Sequence, residues 1–127
     1  MKITVSSNLD NQVIEDLIIT ALEGGSNYWY WIEEFPSNFP AGNEPLAVRF
    51  FDFIWNFKGK MKIYDIESDP KKPELLGTIS KESVKEAFNI MAKEYSYNLG
   101  NILQDNWDAN DADVLFQLAV MGKVIFG

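Results

Sequence analysis

"LAVRFFDFIWNF", residues 46–57, is the stretch on which the fold turns. Read with a period of two, it places Arg49, Phe51, Phe53, Trp55 and Phe57 on one face. Val48, Phe50, Asp52, Ile54 and Asn56 then share the other, and the stretch is expected to be the strongest strand of the chain. Its Phe-rich face is the expected floor for helices. "KGK" (58–60) follows as a turn and "MKIYDIES" (61–68) as an antiparallel partner. "DPKKPE" (69–74) reads as a polar turn and "LLGTI" (75–79) as a further short strand.

Upstream, "KITVSS" alternates apolar and polar residues and predicts a short strand or extended arm. In "NLDNQVIEDLIITALEGG" (8–25), Val13, Ile14, Leu17, Ile18, Ala21 and Leu22 recur at helical spacing. Asp10 or Asn11 is the expected N-cap, and Gly24 or Gly25 the left-handed stop. "NYWYWIEE" (27–34) comes next and is expected as a strand. Tyr28, Tyr30 and Ile32 would share one face and Trp29, Trp31 and Glu33 the other, apolar enough on both sides to be covered twice. "PSNFPAGNEP" (36–45) is a loop without periodicity, long enough to suspect a functional or mobile segment.

Downstream, Ser80 opens a helix whose stripe is Val84, Ala87, Phe88, Met91, Ala92 and Tyr95, ending or bending near Gly100. Asp108 or Asp111 caps a final helix through "VLFQLAVM", Gly122 stops it, and "KVIFG" is expected to return as a paired strand. The order predicts one domain over 1–127 of the α+β class. It would be an antiparallel sheet of about four to five strands, with about three helices packed mainly on one face.

Composition prunes the chemistry. The 127 residues are 46% hydrophobic and 14% aromatic, enough for a core. Cysteine and histidine are both absent and Arg49 is the only arginine. No thiolate nucleophile, imidazole base or His/Cys metal site can therefore be built from this sequence. A net charge of −8 opposes binding to duplex DNA. With no basic-then-apolar leader and no apolar run of membrane length, the expectation is a cytoplasmic protein with no membrane partner. No cofactor or metal is expected.

Two ends of the chain carry a resemblance. "ALEGGSNYW" and "DADVLFQLAVMGKVIFG" resemble a family of small bacteriophage and prophage proteins without assigned function. The likeness falls on Glu23, Gly24, Gly25, Tyr28 and Trp29, and on Asp111, Asp113, Gln117, Gly122 and Gly127; the Ser80–Tyr95 helix with "MAKEY" fits it too. Residues 36–72 do not enter it. What it implies is a phage-type accessory protein, at work in a host cytoplasm, of a kind that often acts by binding.

Candidate binding residues follow. Tyr28, Trp29, Tyr30, Trp31 and Trp55 could stack a base or anchor a partner, and Glu33 and Arg49 flank them. Each has a plainer reading. The Phe51–Phe57 face suits a core, and Trp29 and Trp31 suit a boundary between core and water. Arg49 suits an ion pair with Glu33, Glu34 or Asp65, or stacking on an aromatic ring. No spacing singles out a catalytic pair among Glu33, Glu34, Asp52, Asp65 and Glu67, so no catalytic residue is assigned. "DNWDANDAD" (105–113) lacks the ligand positions and glycine of a calcium loop and suits helix capping.

The expected function is therefore non-enzymatic: binding, and inhibiting or modulating, a host or defence protein, itself a candidate nucleic-acid binder. The alternative is capture of a small nucleotide-like ligand in an aromatic pocket, with Gly24, Gly25 and Ser26 amides at the turn. A carboxylate and metal enzyme is the third reading. A homodimer is compatible with an acidic domain bearing an aromatic face.

Overall fold

The computed structural model describes residues 9–127. The expected "KITVSS" strand lies outside the described residues. Helix α1, Asn11–Thr20, starts where Asp10 accepts the Val13 N–H at 2.9 Å, and it buries Ile14, Leu17 and Ile18 on one face. It does not stop at a left-handed glycine. The last turn widens into a π-helical segment, Ala21–Gly25, closed by the Ser26 N–H on the Ala21 carbonyl at 2.8 Å. Gly25 is there for space: a Cβ would sit 2.8 Å from the Ala109 carbonyl.

The aromatic run then supplies only a two-residue strand, β1 (Tyr30–Trp31). It lies at the edge of a three-stranded sheet in the order β1-β2-β3, with β2 Met61–Asp65 and β3 Leu75–Ile79. Both pairings are antiparallel. Tyr30 faces Asp65 and Trp31 faces Tyr64; Met61 faces Ile79, and a bulge falls between Ile63 and Tyr64. Met61, Ile63 and Ile79 point inward, fully buried, while Lys62 and Thr78 are exposed on the opposite face. The sheet is thus covered on one side.

The decisive stretch is not a strand. Residues Leu46–Asn56 form helix α2, burying Ala47, Phe50, Phe51 and Ile54 at i, i+3, i+4 and i+7, with Phe53 and Trp55 alongside. The polar residues explain why. Arg49, Asp52 and Asn56 recur at i, i+3 and i+7, one helical stripe, and Asn56 donates to Asp52 across one turn at 2.7 Å. With so many apolar side chains, alternation fitted equally well; only the placement of the few polar ones separates the two periods. After α2 the chain reverses through Lys58 in the left-handed region (φ 56) and Gly59, whose N–H returns to the Phe53 carbonyl at 2.8 Å.

Helix α3, Lys81–Glu94, begins in a reciprocal capping box between Ser80 and Ser83 and buries Val84, Ala87, Phe88 and Met91. It breaks at Tyr95, and α4, Ser96–Leu103, runs straight through Gly100, so the expected bend lies five residues too late. Helix α5, Ala109–Met121, is capped by Asp108 with Asp111 reaching back, and Gly122 ends it in the left-handed region (φ 75). Every residue of α5 from Asp111 to Val120 is buried. It packs against α1, the π-helical turn, β3, α3 and α4 and is the axle of the domain. At its closest approach to the sheet, a Cβ on Gly77 would run into the Val120 carbonyl. The tail after Gly122 forms no strand.

The class is α+β; among the described residues there are five helices and a three-stranded antiparallel sheet, rather than three helices and four or five strands. Two expected strands are lost, because 46–57 is helical and the tail is held by a side chain, as described next; the two added helices are Leu46–Asn56 and the piece split off at Tyr95. No helix among the described residues is long and apolar enough to cross a membrane.

Candidate functional site

Two gatherings of polar groups differ in character. The first lies where the π-helical turn meets α5. The Asp113 carboxyl, 6% exposed, accepts from the Ser26 hydroxyl at 2.7 Å and the Trp29 indole N–H at 2.8 Å on one oxygen. Its other oxygen accepts from the Tyr28 hydroxyl at 2.5 Å and the Gln117 amide at 3.2 Å. The Tyr28 ring is half exposed, but its hydroxyl is turned into this cluster. Desolvation first, and then the hydrogen bond to Asp113 and its charge, push its pKa up to about 12.

Gln117, one turn along α5 and wholly buried, carries the cluster to the C-terminus. Its carbonyl accepts both the Ile125 and Phe126 N–H groups at 2.9 Å, and its amide donates to the Phe126 carbonyl at 3.0 Å. One side-chain amide does for the tail what a neighbouring strand would do. The Phe126 ring then stacks on Trp29, centroids 5.4 Å apart and planes 12° apart. Among the described residues no buried side-chain polar atom lacks a partner. The cluster is a saturated brace in the sense that each of its buried polar atoms already has a protein partner.

This settles the location of several candidate residues. Trp29 is 1% exposed and belongs to the core, not to a stacking platform. Trp31 is half-buried, with its indole N–H on the Asp65 carbonyl at 3.0 Å. Tyr30 packs against Phe116 and donates to the Leu22 carbonyl at 2.7 Å; burial, then the charge of Glu23, raises its pKa to about 12. Glu33 is exposed beyond β1. Arg49 donates to the Glu44 carbonyl at 2.9 Å and to the Pro40 carbonyl at 3.5 Å, and lies 5.9 Å from the Phe39 ring centre. It staples the 36–45 loop to α2, a use of arginine that matches the expected aromatic stacking but not the expected ion pair.

The second gathering is open. A cleft of about 500 Å³ lies between the end of α2, the approach to β2 and the start of α3, lined by Trp55, Lys58, Lys60, Lys81, Glu82 and Lys85. Its floor is Trp55, 5% exposed, stacked on Phe51 with planes 17° apart. The Lys81 ammonium stands 4.9 Å above the Trp55 ring centre. Trp55 is thus buried beneath a lysine rather than presented to solvent. Lys81 also opens the first turn of α3, where the helix dipole disfavours positive charge and Glu82 offsets part of that, and Lys85 lies one turn on as a like-charge i, i+4 neighbour. Through Lys60 this cleft adjoins a second of about 360 Å³, lined by Glu34, Phe35, Ser37, Lys60, Lys62 and Tyr64.

Sequence reasoning passed over the lysines. The signal was the alternation of Lys58, Lys60 and Lys62 through "KGKMK", together with Lys81 and Lys85 one helical turn apart. Among the described residues no group of three or more Asp or Glu side chains is placed to hold a metal ion. Compared with known protein families, curated proteins and solved structures, the chain matches none of them.

Proposed function

We propose that the domain works by binding, with the lysine cleft as its working surface and a phosphate-bearing, nucleotide-like anion as its ligand. One observation carries the reading. In a chain of net charge −8, four lysines and a single carboxylate line one cleft. Folding does not ask for this, because like charges gathered at a helix start repel one another and oppose the dipole. An anion in the cleft relieves both costs. Flexible lysines, rather than an arginine fork, suit several phosphate oxygens without fixing one geometry.

The test is a thermal melt with inorganic triphosphate as probe, in low salt. A ligand present at about a hundred times its Kd stabilises the folded state by roughly 2.7 kcal/mol. A raised melting temperature in the parent, absent in Lys58→Gln/Lys85→Gln, is the expected result. An unchanged melt in the parent, read beside a sulfate control, defeats the proposal.

A second reading retains a host or defence protein as the partner of a phage-type accessory protein. What favours it is the exposed edge from Tyr28 to Glu44, where Tyr28 and Phe35 are 49% and 41% exposed beside the exposed Glu33, Glu34 and Glu44. Exposed aromatics with acidic neighbours suit a basic protein surface. Phe35→Ala would then abolish capture of that partner while the triphosphate response stays intact.

A further inference from the structure

The lysine cleft shares Lys60 with the second cleft, whose Lys62 and Tyr64 belong to the uncovered face of the sheet. Lys60, Lys62 and Tyr64 alternate along the β2 segment and line one continuous wall of the second cleft. Trp31 is paired opposite Tyr64 and so shares its face, with the two rings 6.0 Å apart and tilted by 48°. Leu75, the partner of Tyr64 on β3, is 51% exposed. This face therefore carries two adjacent aromatic rings, an exposed aliphatic beside them, and lysines leading away from them into the four-lysine cleft. Trp31 is held in place by its indole bond to the Asp65 carbonyl, so it needs no ordering on binding.

We infer that this face binds a short single strand of nucleic acid, with bases on Trp31 and Tyr64 and the sugar-phosphate backbone running over Lys62 and Lys60 toward Lys58, Lys81 and Lys85. The inference rests on the anion-binding reading above and names the ligand more narrowly. Three arguments select a strand. Every base has a π-face to lay on an aromatic ring, and such stacking combined with a basic track is the general solution for unpaired strands. The track is long: from Lys60 to Tyr64 the chain advances about 13 Å at roughly 3.3 Å per residue, and the lysine cleft lies beyond. A single phosphate group fills only part of it. Charge fixes the rest. The basic track stands in a strongly acidic chain, so the path of the backbone is confined to the lysines, while Glu34 and Glu82 at the walls oppose its straying. A duplex presents its phosphates but keeps its bases stacked inside, and gains nothing from the rings.

Fluorescence anisotropy with a labelled oligouridylate of about eight nucleotides tests this, beside the matching duplex and free uridine nucleotides. The expected result is binding of the strand in preference to the duplex, with quenching of tryptophan fluorescence. Engagement of about three phosphates gives a log–log salt slope near −2, hence a loss of roughly twentyfold between about 50 and about 200 mM salt. Tyr64→Leu, which keeps apolar bulk, should weaken binding about tenfold with little change in the slope. Lys60→Gln/Lys62→Gln should flatten the slope by more than one unit, whereas Lys93→Gln, outside both clefts, should change neither. Equal affinity for strand and duplex, or indifference to Tyr64→Leu, overturns the inference. Binding of triphosphate or free nucleotide without the oligonucleotide also overturns it, yet leaves the anion-binding reading standing. If neither binds, both fall.

Discussion

The Asp113 cluster and the lysine cleft are both polar, and they differ in whether their valences are used. Around Asp113, a serine, a tyrosine, a tryptophan and a glutamine all donate to one buried carboxyl, and Gln117 goes on to clasp the tail. Around Trp55, lysines face water with one carboxylate among them. Buried polar groups must be paired or the fold pays the desolvation of each. Exposed charges face no such requirement, so their arrangement is free to answer to a ligand. The chain's most eye-catching residues, the consecutive aromatics, serve chiefly the first region; its least noticed, the lysines, make the second.

Breaking the brace should give the largest effect. Asp113→Ala leaves the indole N–H of Trp29 and the hydroxyl of Ser26 buried without acceptors, and the expected loss is about 3–5 kcal/mol of unfolding free energy in urea. A loss below about 1 kcal/mol would mean that water replaces the carboxyl and that the two regions are not opposites. Gln117→Leu keeps the volume but removes the clasp. The Ile125 and Phe126 amides lie closer to solvent, so the expected cost is smaller, about 1–2 kcal/mol, with hydrogen exchange accelerating at those two amides first.

Alkaline titration probes the same brace without a large substitution. The Tyr28 and Tyr30 hydroxyls are held protonated by burial and by Asp113 and Glu23, their pKa values pushed up to about 12 from the ordinary 10.0. Stability from this source is fully present below the unfolded value and is lost as pH rises through the folded one. Melting temperature should therefore be insensitive to these groups up to about pH 10 and fall between about pH 10 and about pH 12. Tyr28→Phe should make that fall shallower by removing one of the two contributions. An identical slope in the variant would show that burial and Asp113 do not hold the Tyr28 hydroxyl protonated in the folded state.

How much of this was legible depended on how many residues had to agree. The start and buried face of helix α3 could be read because Ser80 and the apolar stripe from Val84 to Tyr95 agree, although its end at Glu94 comes earlier than expected. Helix α5 carried its caps at Asp108 and Gly122, but its apolar residues surround it, so its central position had no periodic signature. Residues 46–57 misled because their rings suit either period, and the three polar positions that decide between them are few. The tail misled for another reason: a side-chain amide on α5 replaces a strand, and no local pattern announces a partner so far inside the core. For the site, the lysines that face one another across the cleft come from a turn after α2 and the first turns of α3. Their proximity exists only after α2 is known to be a helix that ends at Asn56.

The smallest effect on stability should come from the lysines, and this is what sharpens the comparison most. Lys60→Gln and Lys85→Gln alter exposed side chains that brace nothing, and each should change unfolding free energy by less than about 0.5 kcal/mol. At Lys85 the sign should favour the variant, because its like-charge repulsion with Lys81 at i, i+4 is removed. The same substitutions should cost most of the triphosphate response in the melt. A protein that grows slightly more stable as it loses its ligand is carrying those charges for binding. If instead Lys85→Gln destabilises by 1 kcal/mol or so, the lysine is part of the fold's own electrostatics, and the distinction between a saturated region and an open one fails at its second half.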